Sequence, residues 1–316
     1  MFLIAVIVST YILTFMVMNN IDDIKTKFWK DGFVHIKSVF KEKDIENLRA
    51  FILNNEKKKI LEEIVDKDIF NNTKINKYLL DDKVVAIIKA ILENAPVYFG
   101  DSSITVVKKH NVGMYHKDCT DRLDPEGPDW KSKYPLIRVA LFLQDHKKSS
   151  GGIILGKFSH NILFKSRLIQ VFYEEIFGFI SGNFKHCDSK MGDLVIWNLR
   201  TTHGPMGKRL KFFFKRPISK RLDKFIPNFL KYSFYGSRIL VTATFGSESQ
   251  HLTRYINYLK TRKYMVNKWI KSTYSKNIKR LFNSKGIICY DLQNDIKKEY
   301  KEKKINPVDK WKPYPY

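Results

Sequence analysis

The sequence predicts a closed, rolled β-sheet with flanking α-helices. Residues i and i+2 of a strand point to the same side, so His116 and Asp118 can face inward together while Lys117 faces the other way. The apolar run Leu194 to Trp197 reads as a second strand, and His203 follows it, 85 residues after Asp118. For His203 to lie beside His116 and Asp118, its strand has to be brought next to theirs in a closed sheet. A chain of 316 residues, 44% of them apolar, can bury one such core.

Two imidazoles and one carboxylate make a metal-ligand set. On Fe(II), this facial triad leaves three adjacent coordination positions open, which favours redox chemistry. By itself the His-x-Asp pattern is weak, because a surface His and Asp on a loop produce it by chance. A zinc hydrolase uses the same ligand types, but it also needs a general base.

The order of the surrounding motifs is more specific than the triad alone. A Phe28–Ile36 segment with Asp-Gly-Phe precedes the first ligands, and Ser150–His160 with its Gly-Gly pair and Ser-His end lies between the two halves. Gly192-Asp193 stands before His203-Gly204, and Arg238–Gly246 closes the series. Over residues 24 to 249 this ordered set resembles the phytanoyl-CoA dioxygenase-like family of Fe(II)/2-oxoglutarate-dependent oxygenases.

The resemblance implies a fold, cofactors and a reaction. The fold is a double-stranded β-helix, a jelly-roll or cupin-like barrel of two sheets, mainly β with flanking helices. Fe(II) is held by His116, Asp118 and His203, and 2-oxoglutarate and O2 bind at the iron. Asp118 stands where halogenating relatives carry a small residue, which favours hydroxylation of a C–H bond. The substrate is a small molecule that no residue of the sequence identifies.

Three residues are candidates for holding the cosubstrate. The far carboxylate of 2-oxoglutarate needs a charged, fork-shaped donor, and Arg238 begins a strand whose same face carries Thr242. In the family this arginine follows the distal histidine more closely, whereas Arg238 follows it by 35 residues, so Arg138 and Arg209 are alternatives. Lys108 resembles a family lysine that approaches the cosubstrate.

The chain divides into one catalytic domain and additions. We expect the domain over residues 19–249, a basic insertion at 208–237, and a basic helical extension over 250–316 whose apolar residues recur at helical spacing. The extension should pack against the barrel or form a subunit contact. Residues 1–18 carry no charge: a membrane anchor, a buried helix, and a stretch preceding the true start at Met16 or Met18 are all open interpretations.

The net charge of +25 is unevenly placed. Residues 208–238 hold 10 Lys and Arg against 1 Asp, and residues 250–316 hold 17 against 5 acidic residues, which leaves +4 elsewhere. Basic residues interleaved with aromatics suit an anionic membrane surface or an anionic substrate. A lysine-rich, solvated surface explains them equally well. No nucleic-acid-binding module is recognisable, so specific nucleic-acid readout is not expected.

The remaining chemistry-bearing residues are read as structural. Three cysteines without a Cys-x-x-Cys pair predict neither a disulfide framework nor a thiolate zinc site, and they suit a reducing, cytoplasmic compartment. Four polar or aromatic residues are candidates for the substrate wall, with ordinary core packing as the alternative: Trp130, Tyr134, Trp197 and Asn198. The six other histidines are expected to be structural: His35, His110, His146, His160, His186 and His251.

Two other classes of function stay open. A cupin-like binding protein without catalysis would share the fold, but it would have little need of a buried Arg238. A membrane-tethered interaction protein would act through its basic segments.

Overall fold

The structure is a computed structural model that describes residues 21–108, 114–145, 152–205, 208–211, 223–233 and 236–309. The apolar leader 1–18 and residues 212–222 and 234–235 of the basic insertion lie outside the described residues, as do His110 and His146. The expectations for these residues stay predictions. Within the described residues, no helix is both long enough and apolar enough to cross a membrane.

Eleven strands form three sheets across the described residues. The largest sheet has six strands in the order β1-β6-β3-β10-β2-β11, antiparallel except for the β2–β11 pair, and a second sheet has the order β5-β4-β7. The strands β8 and β9 form a separate hairpin. The bounds are β1 Phe33–Ile36, β2 Pro96–Val107, β3 Leu136–Phe142, β4 Ile153–Gly156, β5 Phe184–His186, β6 Leu194–Asn198, β7 His203–Pro205, β8 Lys208–Leu210, β9 Lys231–Ser233, β10 Arg238–Ser247 and β11 Ile288–Cys289.

The six-stranded and three-stranded sheets pack against each other through alternate side chains. Phe142 and Trp197 of the larger sheet share one buried cluster with Ile153 and Leu155 of the smaller one. Because strand side chains alternate between faces, the same strands bury Val139, Leu141 and Ile196 on the opposite side, against helices. The predicted pair of facing sheets is therefore present.

Helices cover the outer face of the larger sheet and one end of it, and two further short helices lie beside the smaller sheet. They are α1 (residues 21–31), α2 Glu42–Lys57, α3 Leu61–Asp66, α4 Thr73–Leu79, α5 Asp82–Leu92, α6 Arg167–Phe172, α7 Gly178–Ser181, α8 Gln250–Lys260, α9 Lys263–Lys271, α10 Lys276–Ser284 and α11 Gln293–Lys301. A π-helical turn, Tyr173–Phe177, joins α6 to α7. Helical residues outnumber strand residues in the described chain, so the expectation of a mainly β protein is wrong in its proportions.

The C-terminal extension packs against the sheet. Leu252, Tyr255 and Trp269 share a buried cluster with Val97 and Phe99 of β2. Burying these aromatic side chains contributes about 1.5 to 3 kcal/mol each, which accounts for the docking of α8 and α9. The extension therefore contributes to the core at one end of the sheet. Packing against the sheet is one of the two arrangements that the sequence predicted for it.

Candidate metal centre

His116, Asp118 and His203 meet at one end of the two packed sheets. His116 and His203 are backbone partners, each N–H donating to the carbonyl oxygen of the other at 2.9 Å. The N–H of Asp118 donates to the carbonyl oxygen of Leu199, just beyond β6, at 2.8 Å. The segment carrying the His-x-Asp pattern is therefore tied to both halves of the fold by its backbone.

The three side chains are spaced as metal ligands. Asp118 Oδ1 lies 3.7 Å from His116 Nε2, and Asp118 Oδ2 lies 3.5 Å from His203 Nε2. One potential ligand atom from each residue falls within 4.8 Å of the others. Two metal–ligand bonds of about 2.1 Å span at most about 4.2 Å, so small adjustments suffice for a single ion to reach all three.

Hydrogen bonds fix which imidazole nitrogen faces the centre. His116 Nδ1 contacts the carbonyl oxygen of Met114 at 3.1 Å, and His203 Nδ1 contacts that of Thr201 at 3.0 Å. A carbonyl oxygen only accepts, so each Nδ1 carries the proton and each Nε2 offers its lone pair. Such outer contacts orient the histidine ligands of metal sites.

Charge and burial keep the ligands in the protonation states that a metal needs. Burial raises the pKa of the Asp118 carboxyl, but Arg138, His203, His116 and Arg122 outweigh it and lower the pKa to about 2. Burial and the neighbouring His116 lower the pKa of His203 to about 4. At neutral pH the carboxylate is ionised and His203 is neutral, which is the ligating form of each.

Arg138 stands beside Asp118, between it and a second carboxylate. Its Nε lies 3.8 Å from Asp118 Oδ2, and its Nη2 donates to Asp101 Oδ2 at 3.0 Å. Thr244 donates its hydroxyl to the same Asp101 oxygen at 2.7 Å. Arg138 Nε has no hydrogen-bond partner among the described residues. The guanidinium therefore stands between the two carboxylates and faces Asp118 by charge alone.

A β-bulge aims Asp101 at this cluster. The register of β2 against β10 slips between Ala243, paired with Ser102, and Phe245, paired with Tyr98. Gly100 sits in the slip with φ +84°, a left-handed conformation that glycine adopts without strain. A Cβ at Gly100 would lie 2.7 Å from Trp269 Nε1, so the indole packs directly on this backbone.

Lys117, between the two ligands, is buried instead of facing solvent. Its ammonium donates to the carbonyl oxygens of Ser159 at 2.5 Å and Arg200 at 2.9 Å. Burial lowers the pKa of Lys117 to about 8. The ammonium of Lys117 points away from the triad, as predicted. Its hydrogen bonds attach the segment that carries His116 and Asp118 to the backbone of Ser159 and Arg200.

His116 and Asp118 line a cavity of about 740 Å³ whose walls come from five parts of the chain. Arg138 and Asp118 form its floor with His116, and residues of α6 and the π-helical turn contribute Arg167, Gln170 and Glu174. Tyr255, Tyr258, Leu259 and Tyr264 come from the C-terminal extension. The sequence showed these tail residues as a helical apolar stripe, and nothing in that pattern distinguished a cavity wall from a core.

The three tyrosines of the extension that line the cavity, Tyr255, Tyr258 and Tyr264, form a tyrosine wall. Two buried guanidiniums contact this wall. Arg122 and Arg262 both donate to the hydroxyl of Tyr258, Arg262 at 2.7 Å. Their guanidinium carbons lie 5.3 and 4.7 Å from the centre of the Tyr258 ring. Of the two, Arg122 also lines the cavity. The wall opposite the triad is thus aromatic and positively charged.

The predicted cosubstrate residues lie elsewhere. Lys108 is exposed at the end of β2 and pairs with Glu56 of α2 at 2.7 Å, so its assignment to the centre is wrong: the strand carries it out to the helix layer. Thr242 is buried on the inner face of β10, and its hydroxyl bonds that of Ser103 at 2.8 Å. Neither lines the cavity.

Arg238 shares the inner face of β10 but not the cavity. It is six residues from Thr244, or about 20 Å along the strand. Its pKa is lowered by burial alone, and Nε has no hydrogen-bond partner among the described residues. Of the two alternatives, Arg138 lies at the centre, and the side chain of Arg209 lies outside the described residues.

The histidines and wall residues that the structure describes have structural partners. His35 pairs with Asp193 at 2.8 Å, His160 contacts the carbonyl oxygen of Trp29 at 3.0 Å, and His251 pairs with Asp129 at 3.3 Å, as the structural reading expected. The side chain of His186 lies outside the described residues. None of the four proposed wall residues lines the cavity. Core packing, the alternative, holds for them.

Comparison with known proteins gives structural likeness alone. No family model matches the chain, and no curated protein does. Among solved structures, HygX from Streptomyces hygroscopicus with nickel and 2-oxoglutarate bound is 17% identical, covering 70% of this chain and 85% of that one, with TM-score 0.48. EctD from S. alaskensis is 10% identical over 71% and 75%, with TM-score 0.48. The epimerase SnoN is 10% identical over 72% and 83%, with TM-score 0.45.

Proposed function

We propose that this protein is a non-haem Fe(II)- and 2-oxoglutarate-dependent dioxygenase on a double-stranded β-helix, hydroxylating a C–H bond of a small-molecule, lipid-linked or sugar-linked substrate. The observation that carries the proposal is the meeting of His116, Asp118 and His203, with His116 and Asp118 lining the cavity. Two imidazole nitrogens and one carboxylate on one side of an ion leave the opposite side open, as this chemistry requires.

When bound, Fe(II) with 2-oxoglutarate and O2 supplies the oxidant, and the chain supplies geometry and charge. The two histidines present fixed Nε2 lone pairs, and Asp118 stays ionised beside Arg138. The tyrosine wall and α6 enclose the remaining space, which limits the access of water to the reacting atoms.

The far carboxylate of the cosubstrate needs a cationic partner, and two guanidiniums are candidates. Arg138 already stands between Asp101 and Asp118, so this trio has a net charge of −1. Arg238 is half-buried and has no carboxylate partner among the described residues, which favours it for the far carboxylate.

A metal titration tests the proposal. Anaerobic Fe(II) plus 2-oxoglutarate should give the weak visible charge-transfer band of a chelated keto acid, and air should then release succinate without substrate. His116→Ala, Asp118→Ala and His203→Ala should abolish both, whereas Lys108→Ala, an exposed residue of β2, should keep both. A protein that binds Fe(II) with no band and no succinate is a hydrolase or a binding protein instead.

A further inference from the structure

The helix that lines one side of the cavity has an opposite face of exposed apolar side chains. The helix runs through α6, the π-helical turn and α7, and Ser166 caps it by accepting from the N–H of Ile169. Its inner face is buried: Gln170 and Glu174 line the cavity, Gln170 donates to Glu174 at 2.7 Å, and Tyr173 packs with Ile154 and Phe184 of the smaller sheet. One face of the helix is therefore already packed.

The outer face of this helix is apolar. Six large side chains are exposed within thirteen residues: Leu168 (82%), Ile169 (51%), Phe172 (55%), Ile176 (43%), Phe177 (45%) and Ile180 (69%). Single exposed apolar side chains are ordinary, but a contiguous set marks an interaction surface. We call these six residues the outer face.

We propose that the outer face docks on an anionic membrane surface. An apolar helix face with cations around it is the pattern of helices that lie in a membrane interface. Lys165 and Arg167 are exposed at the start of this helix, and Lys185 is exposed just after its end. Each basic residue near an anionic leaflet adds about 1 kcal/mol of attraction.

The charge of the whole chain favours lipid over a second copy of the chain. Two copies apposed through the same face would each bring a net charge of +25, whereas an anionic bilayer attracts that charge. The basic insertion shows the same combination where it is described, since Phe225 and Phe229 are exposed at 83% and 69%. Apolar and basic side chains therefore occur together on two separate segments.

The docking places the reaction where lipid is available. Arg167, Gln170 and Glu174 of the docked helix belong to the cavity wall, so docking would hold the cavity about one helix diameter, roughly 10 Å, from the lipid. On the proposed function, this selects the lipid-linked class of substrate. The docking itself needs neither metal nor cosubstrate, so it can be tested separately.

The test is vesicle co-sedimentation of the full chain without iron or 2-oxoglutarate. Vesicles of phosphatidylcholine with phosphatidylglycerol should bind the protein, and phosphatidylcholine alone should bind it far less. Leu168→Glu with Phe172→Glu should reduce binding by about tenfold or more. The matched control is Ile60→Glu with Tyr300→Glu, which adds the same charge at exposed apolar positions outside this helix and should reduce binding much less.

Hydrogen exchange on the vesicles decides which segment binds. Protection of residues 167–181 in the bound state supports the proposal. Equal binding by the two double variants, or binding without protection of these residues, would overturn it and assign binding to the leader or the insertion. A dimer in solution that the Leu168 and Phe172 substitutions dissociate would also overturn it, because the outer face would then be covered by a second copy.

Discussion

Removing the charge of Asp101 should weaken metal binding although Asp101 is not a ligand. Arg138 Nε lies 3.8 Å from Asp118 Oδ2, and a metal–oxygen bond adds about 2 Å, so the guanidinium stands about 6 Å from the ion. Asp101 offsets that charge from the other side at 3.0 Å. Asp101 lies beyond the guanidinium, about 10 Å from the ion, so with an effective dielectric constant of 20 to 50 the loss of its charge removes about 1 to 3 kcal/mol of attraction for a divalent ion. Asp101→Asn should therefore raise the metal Kd by about tenfold to a few hundredfold.

The assay is Mn(II) titration monitored by the electron paramagnetic resonance of free Mn(II), which avoids oxidation. Thr244→Val is the matched control, because it removes the 2.7 Å hydrogen bond to Asp101 without changing charge, and it should change the Kd little. Asp101→Asn combined with Arg138→Gln removes both charges and should recover most of the affinity. The electrostatic reasoning is refuted if Asp101→Asn binds Mn(II) as tightly as the wild type, or if the double variant binds no better than Asp101→Asn.

Three further predictions concern the cosubstrate, the bulge and the helix layer. Arg238→Ala should raise the KM for 2-oxoglutarate with little change in Mn(II) affinity, because a charge-assisted pair to a buried carboxylate is worth about 2 to 5 kcal/mol; if Arg138→Ala alone shows this behaviour, Arg138 holds the far carboxylate. Gly100→Ala should lower the free energy of unfolding in urea by about 2 to 4 kcal/mol, because it combines a left-handed φ with a contact at 2.7 Å to Trp269. Gly182→Ala, with φ +69° and nothing within 4 Å, measures the backbone part alone, and an equal loss in both would show that Trp269 does not matter. Lys108→Ala should leave the KM for 2-oxoglutarate unchanged, since Lys108 pairs with Glu56, and a large increase would return Lys108 to the centre.

The sequence predicted the parts of this centre that follow from local periodicity. The i, i+2 spacing of His116 and Asp118 and the strand before His203 predicted that distant strands meet, and the structure pairs the backbone of His116 with that of His203 beside two packed sheets. Asp101 was not predicted, because the bulge that turns it inward depends on contact with Trp269, 168 residues later in the chain. Long-range packing of this kind leaves no periodic trace.

The tyrosine wall shows a second limit of sequence reasoning. Tyr255, Tyr258 and Leu259 fall at helical spacing whether their helix faces a core or a cavity. Lys117 shows the same limit for charge: a lysine between two inward residues reads as solvated, and only the carbonyl oxygens of Ser159 and Arg200 explain its burial. The high helical content was not predicted, because the fold expectation came from a family resemblance that implies a mainly β barrel.

The packing of Trp269 on Gly100 also sets an order of events during biosynthesis. His203, the last of the three proposed ligands, is made 66 residues before Trp269, which at about 5 to 20 residues per second is roughly 3 to 13 s earlier. At the start of that interval the nascent chain has the complete proposed ligand set but neither the tyrosine wall nor the indole that packs on the bulge. The cavity closes only when the extension is made, so iron loading before that point would place the metal in an open, water-filled site.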